Sequence, residues 1–327
     1  MFEELLLDKI AEQAAGPVQF LPRRCLRARF HKNQCLLCLE ECRTGALTLQ
    51  GDKVCFAPEK CTGCLRCAAV CPNDAFSLEE KLLPLLQAIN RGGHVVVVGC
   101  GRNRGDLSHY TVPCLGIFSE PLLAAMNCLA GNDILLDGSG CACCVNGHCV
   151  DTVQSQLENL SQRQGRGAAV RIKLMTERDT IAVGRENSER RVFLKELRRS
   201  FSAFGAQSTG RNLDGAGEAN RIANRAPVAV SAVLQYAVAH APAGRENLLE
   251  YYFFTLTADS RCDLCPLCSG MCPTGAISRS SIEAGKSLLF SSAACSGCGL
   301  CRDFCRRQAL TLSRGFSGDP NAARRIR

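Results

Sequence analysis

No run in this sequence approaches the ~18 apolar residues that a membrane-spanning helix needs. The best candidate, the valines at 95–98, has the length of a strand. The N-terminus carries Glu3, Glu4 and Asp8 where a secretory leader would be positive, and Leu5-Leu6-Leu7 is far too short for its apolar core. Nucleotide fingerprints are missing as well. Gly99-Cys100-Gly101 lacks the third glycine and the helix of a dinucleotide-binding turn. No C-x3-C-x2-C triplet offers an S-adenosylmethionine-cleaving cluster, and residues 150–261 hold no cysteine at all. These gaps lead to the expectation of a cytoplasmic chain without flavin, nicotinamide or membrane anchor.

What is present is cysteine, 24 in 327 residues. In a reducing compartment such a density points to metal rather than to disulfides. Three stretches share the spacing C-x2-C-x2-C-x3-C: Cys61, Cys64, Cys67 and Cys71; Cys262, Cys265, Cys268 and Cys272; Cys295, Cys298, Cys301 and Cys305. Three close thiolates can wrap three corners of an iron–sulfur cubane. The fourth corner must be reached from a distant segment, so such motifs come in pairs. An irregular fourth copy completes the pairing: Cys35, Cys38 and Cys42 keep the later gaps, and Cys25 stands far upstream, a lengthening that loop-closure entropy tolerates.

This spacing resembles that of bacterial-type dicluster ferredoxins, and the resemblance implies crossed ligation. In the first module it assigns one 4Fe-4S cluster to Cys25, Cys35, Cys38 and Cys71, and another to Cys61, Cys64, Cys67 and Cys42. In the second it assigns Cys262, Cys265, Cys268 and Cys305 to one cluster, and Cys295, Cys298, Cys301 and Cys272 to the other. Ferredoxins usually follow each fourth cysteine with proline. Pro72 and Pro273 keep that habit, whereas Arg43 and Arg306 place positive charge there, which would raise a cluster's potential or offer a docking point. Strand-like residues follow every motif, at 46–49, 75–78, 276–278 and 309–312, so an internal duplication of loop, short helix and strand is expected. Gly45 and Gly275 stand where a positive φ is expected.

Between the two modules the pattern changes. A helix over 77–90 stops at Gly92-Gly93, strands are expected at 94–98, 110–112 and 133–137, and Ser119-Glu120-Pro121 starts a helix that runs to residue 129. Cysteines lie just beyond the strand ends, where open parallel sheets place their ligands. Strand-then-Cys100, Val112-Pro113-Cys114 before the helix, and Gly140 with Cys144-x4-Cys149 make residues 95–151 resemble the delta subunit of methyl-viologen-reducing hydrogenase. That family carries a 2Fe-2S cluster and links hydrogenases or formate dehydrogenases to heterodisulfide reductase. The resemblance implies one 2Fe-2S cluster on Cys100, Cys114, Cys144 and Cys149. The additional Cys141 and Cys143 leave open which of Cys141, Cys143 and Cys144 binds, and the same thiolates could hold zinc. A single histidine argues against Rieske-type ligation, so His148 reads as a surface residue or a neighbour of the ligands. The adjacent pair Cys143-Cys144 also resembles the cysteine-rich domain of heterodisulfide reductase, but the cysteine-free stretch after residue 149 lacks that domain's downstream C-x-x-C.

The expected fold is a multidomain α+β and α/β chain: two ferredoxin-like modules with a small parallel α/β domain between them. The boundaries are a dicluster module at 1–78, the 2Fe-2S domain at 79–155, a basic helical and linker region at 156–247, a second dicluster module at 248–313, and a basic tail at 314–327 expected to be disordered. Finer expectations are a helix over 2–14, a polar helix over 152–164, a hairpin of 170–175 with 180–183, a helix over 187–204, a glycine-rich linker at 207–225 and an apolar helix at 228–239. Of the net charge of +8, six units fall between residues 158 and 225. Lysine is scarce there and no binding motif accompanies it, so a solvated face or a docking face for an acidic protein is expected rather than a nucleic-acid surface. The implied function is a non-catalytic electron relay between larger redox enzymes (hydrogenase, formate dehydrogenase or heterodisulfide-reductase-like subunits) through four 4Fe-4S clusters and one 2Fe-2S cluster. Three other classes compete: a reductase acting at residues 141–149, an iron–sulfur sensor or maturation factor, and a tethering scaffold whose clusters serve structure.

Overall fold

A run of β-branched residues with no polar alternation suits a strand covered on both faces. Val96–Cys100 is such a strand, buried at every position. The computed structural model of the chain describes residues 18–77, 82–93, 95–102, 108–164, 169–176, 229–282 and 285–327. In it this strand belongs to a four-stranded parallel sheet ordered Tyr110–Val112, Val96–Cys100, Ile134–Asp137, Ile172–Met175. The helices Leu82–Arg91, Glu120–Leu129 and His148–Arg163 contribute Leu85, Leu86, Leu122, Leu123, Met126, Val153 and Leu157 to the same core. Among the described residues no helix is long and apolar enough to cross a membrane.

Three expectations are corrected. The strand within 170–175 belongs to the parallel sheet beyond the 79–155 boundary: Ile172–Met175 pairs parallel with Ile134–Asp137, and Arg171 N–H reaches Asn127 Oδ1 at 2.8 Å. The sheet therefore extends past residue 155. The two apolar ends of that strand, Ile172 and Met175, are buried, and alternation alone cannot say which strand will cover them. The helix expected from residue 152 begins at His148, which puts Cys149 in its first turn. The tail is ordered, with Arg324–Arg325 pairing antiparallel with Leu289 and Phe290, and Phe316 buried beneath the Arg324 guanidinium, 4.4 Å from its ring centroid. Main-chain pairing to an edge strand needs no apolar pattern, so composition does not announce it. The expected elements at 2–14, 180–183, 187–204 and 207–225 lie outside the described residues.

The two parts expected to be ferredoxin-like are built on antiparallel pairs: Leu47–Gln50 with Lys53–Phe56, Gln19–Phe20 with Phe76–Ser77, Phe254–Ala258 with Leu310–Arg314, and Ile277–Ile282 with Gly285–Phe290. The duplication is visible in the backbone. The third residue after each fourth cysteine takes a left-handed conformation, φ 68° at Gly45, 47° at Asp74, 73° at Gly275 and 51° at Gln308. Glycine occupies two of these turns because it adopts that region without a Cβ clash.

The chain divides into two units, one of Met1–Thr176 with Arg225–Arg327 and one of Glu177–Asn224, and all the described residues belong to the first. In it, one large core joins the first ferredoxin-like part, the parallel sheet and the helices Ala229–His240 and Arg245–Tyr252. A smaller core serves the C-terminal part. Between them Phe30 meets Phe304 edge-to-face at 5.0 Å, Asn33 Nδ2 donates to Asp303 Oδ2 at 3.4 Å, and Gln235 Nε2 donates to Ala293 O at 2.7 Å.

A polar clamp holds three helices. Tyr252 OH donates to Glu120 Oε1 at 2.6 Å, Arg163 Nη1 pairs with the same oxygen at 2.9 Å, and the Arg163 guanidinium lies over both Tyr251 and Tyr252. Burial, then the Glu120 carboxylate, push the Tyr252 ionisation above the ordinary tyrosine value. The stability from this bond is complete below pH ~10 and is lost as the pH climbs through the raised value. Tyr252→Phe should cost about 1–2 kcal/mol in denaturant unfolding at neutral pH and should flatten the alkaline limb of the stability profile.

Candidate metal centres

A cavity in the first ferredoxin-like part is lined by Cys42, Cys61, Cys64 and Cys67, with Arg43, Thr44 and His148 in its wall. Beside it Cys38 faces Cys71, Cys35 and Cys25; burial first, and these thiols next, push its ionisation up to about 12. In the C-terminal part Cys268 faces Cys265, Cys262 and Cys305, and Cys295 faces Cys272, Cys298 and Cys301. The fold thus gathers sixteen cysteines into four groups of four, each with one member from the neighbouring motif.

Donors point at these sulfurs as thiolates require. Gly63 N–H reaches Cys61 Sγ and Gly297 N–H reaches Cys295 Sγ, both at 3.4 Å. Ala75 N–H reaches Cys71 Sγ at 3.3 Å and Ala309 N–H reaches Cys305 Sγ at 3.4 Å. The hydroxyls of Thr44 and Thr274 lie 3.7 and 3.6 Å from Cys42 and Cys272. Gly63 and Gly297 have φ of 68° and 70°, which turns their amides inward. A donor set of four buried or half-buried sulfurs per group, each group supplied with N–H or O–H donors, fits an iron–sulfur cluster.

Cys100, Cys114 and Cys149 meet at the C-terminal edge of the sheet. Hydrogen bonding to Cys114 and then to Cys64 pushes the Cys149 thiol up, Cys100 and then Cys149 hold Cys114 well below the ordinary thiol value, and Cys149 holds Cys64 below it. Cys141 flanks the group beside Cys114 and Cys144, pushed up to about 11 chiefly by burial. Arg102 N–H reaches Cys100 Sγ and Asn146 N–H reaches Cys144 Sγ, each at 3.4 Å, which repeats the donor geometry of Cys61 and Cys295. Cys143 is exposed. Of the remaining thiols, Cys55 lies on the strand Lys53–Phe56 and Cys128 packs between helices, donating to Gly244 O at 3.7 Å.

Sequence reasoning missed how close this edge lies to the first ferredoxin-like part. A ring nitrogen of His148, Cys149 Sγ and Cys64 Sγ lie within 4.8 Å of one another. Arg102 Nη2 and Asn146 Nδ2 both donate to Thr62 O, at 2.6 and 3.1 Å. Arg66, 1% exposed, donates from Nε to Glu41 Oε2 at 2.9 Å and from Nη1 to Gly116 O at 3.2 Å. The only local hint was that His148 precedes Cys149; the other contacts join residues 25 to 85 positions apart.

Gly116 marks how tight this seam is. A Cβ there would sit 2.2 Å from Cys64 O and 2.7 Å from Cys149 Sγ. Gly116→Ala should cost about 2–3 kcal/mol and loosen the Cys149 group. Gly270→Ala, in a helix where a Cβ meets nothing within 4 Å, should be neutral or slightly stabilising. Thermal unfolding of both variants checks the contrast.

The family described as the 4Fe-4S binding domain matches residues 54–77, which contain the motif Cys61 to Cys71. A ferredoxin of Methanothermococcus thermolithotrophicus is 42% identical over 48 residues, covering 14% of this chain and 80% of that protein. The chain belongs to the 4Fe-4S ferredoxin family. It is an iron–sulfur protein with an electron-transfer role, and its parallel sheet is an element set beside the ferredoxin segment. No solved structure matches this ferredoxin-family chain.

Proposed function

We propose that the chain is an electron-transfer subunit with five clusters: four 4Fe-4S clusters on the four crossed groups and one 2Fe-2S cluster on Cys100, Cys114, Cys144 and Cys149. The carrying observation is the gathering of crossed cysteine groups, each with donors aimed at its sulfurs. The amide of Asn146 favours Cys144 over Cys141 and Cys143 as the fourth thiolate of the middle site. Bound clusters supply one-electron chemistry. The chain's own residues hold the ligands, exclude water and set potentials through N–H···S bonds. Its partners are redox proteins, and the resemblance over residues 95–151 favours hydrogenase, formate dehydrogenase or heterodisulfide-reductase-like subunits.

Anaerobic iron and acid-labile sulfide analysis with EPR of the reduced chain tests this. About 18 irons with a 2Fe-2S signal beside coupled cubanes is the expected result. Roughly 8 irons with bound zinc would sink it. A second reading, a reductase working at residues 141–149, is favoured by the exposed Cys143 beside the middle site; disulfide turnover by the isolated chain that is lost in Cys143→Ser would support it.

A further inference from the structure

The internal duplication supplies its own control for one side chain. Cys64 and Cys298 hold equivalent positions in the two complete second motifs, and each receives the backbone N–H two residues on, from Arg66 and from Leu300. Cys64 has an additional partner. His148, at the start of the helix His148–Arg163 of the parallel α/β part, leaves its own sheet and lines the cavity of Cys42, Cys61, Cys64 and Cys67. Its Nε2 lies 3.7 Å from Cys149 Sγ, and one of its ring nitrogens lies within 4.8 Å of both Cys149 Sγ and Cys64 Sγ. One imidazole nitrogen therefore faces a sulfur of the first ferredoxin-like part and a sulfur of the middle site.

We propose that His148 is a positioning residue shared by two metal sites, donating a ring N–H to Cys64 and Cys149 and so raising the potentials of the cubane on Cys42, Cys61, Cys64 and Cys67 and of the middle cluster together. A metal-bound thiolate carries no proton, so the imidazole must be the donor. Hydrogen bonds to cluster sulfurs favour the more negative, reduced state. The neighbouring contacts fix the imidazole's place: Asn146 and Arg102 tie the two parts through Thr62 O, and Gly116 leaves no slack between Cys64 and Cys149. This rests on the five-cluster reading above.

The experiment is an EPR-monitored redox titration of the anaerobically isolated full chain. His148→Leu should shift one N-terminal cubane and the 2Fe-2S centre to lower potential and leave both C-terminal cubanes where they are. His148→Gln, which keeps an N–H donor, should recover most of the shift. A fully loaded His148→Leu chain with unmoved potentials overturns the proposal, as does an equal shift in all clusters. Iron and sulfide content separates the two ideas: a native chain without a cubane in that cavity refutes the five-cluster reading, whereas full loading with unchanged potentials refutes the role of His148 alone. If His148→Leu fails to load, pulsed EPR of the native chain carrying 15N-histidine decides. A weak nitrogen coupling to the reduced cubane is expected; no coupling, or the strong coupling of an iron-bound nitrogen, contradicts it.

Discussion

Stripping iron from the loaded chain should unfold the C-terminal ferredoxin-like part while the parallel sheet survives. The two cores differ in what they are made of. Of the nine buried residues that form the C-terminal core, three are the cysteines Cys268, Cys272 and Cys301. The rest are Leu256, Ala276, Ile277, Leu288, Phe290 and Leu310. Each large one contributes about 1.5–3 kcal/mol, and a set this small does not hold a module of some sixty residues against ordering entropy of about 1–2 kcal/mol per residue. Metal binding is then part of its folding free energy. The larger core keeps Val96, Val98, Leu86, Leu123, Met126, Ile134 and Leu136 buried without help from any ligand. After oxidative cluster removal with chelator, limited proteolysis should cut between residues 254 and 314, and hydrogen exchange should still protect Val96–Cys100. Equal protection of both regions would contradict the prediction.

Arg66→Ala should be the most damaging single substitution away from the cysteines. Its side chain is 2% exposed and bridges Glu41 and the carbonyl of Gly116. Truncation leaves a carbonyl and a carboxylate without their cation at the seam, which costs about 3–5 kcal/mol in comparable buried pairs. Glu41 is 34% exposed, so water partly replaces its partner, and Glu41→Gln should cost only about 1 kcal/mol. Arg66→Lys should not rescue, because an ammonium cannot send two N–H groups in the fixed directions of a guanidinium. Urea unfolding of the three variants orders them. A loss below about 1 kcal/mol for Arg66→Ala would mean that the pair only fills space.

The grouping of the cysteines in space was legible because the spacing that cluster binding requires is written into the sequence itself. Cys25 is an instance: its distance from Cys35 breaks the pattern, yet counting corners required it, and it lies beside Cys35 and Cys38. The strands after the motifs and the left-handed turns at Gly45 and Gly275 follow from local chemistry in the same way. Illegible features depend on partners far along the chain. Ile172–Met175 carries a strand pattern but no mark of the strand it joins. Arg324–Arg325 pairs through its main chain, which any residue supplies. His148 had no periodicity to place it, because its helix begins inside the cysteine-rich loop, and only tertiary packing turns its ring toward Cys64.

The large core also bears on how this chain can be divided. Ala229–His240 puts Val233, Leu234, Ala237 and Val238 into the same buried cluster as Leu122 and Leu86, although more than fifty residues separate it from Met175. Read as a parts list, the sequence invites three separately expressed pieces. Read from its contacts, it behaves as a split protein whose two halves, ending near residue 176 and resuming near residue 225, each leave apolar surface bare without the other. A fragment stopping at residue 155 would also remove the edge strand Ile172–Met175 and expose Ile134–Asp137 to pairing with other chains. The useful cut, for anyone dissecting this chain, is one that leaves both halves in the same tube.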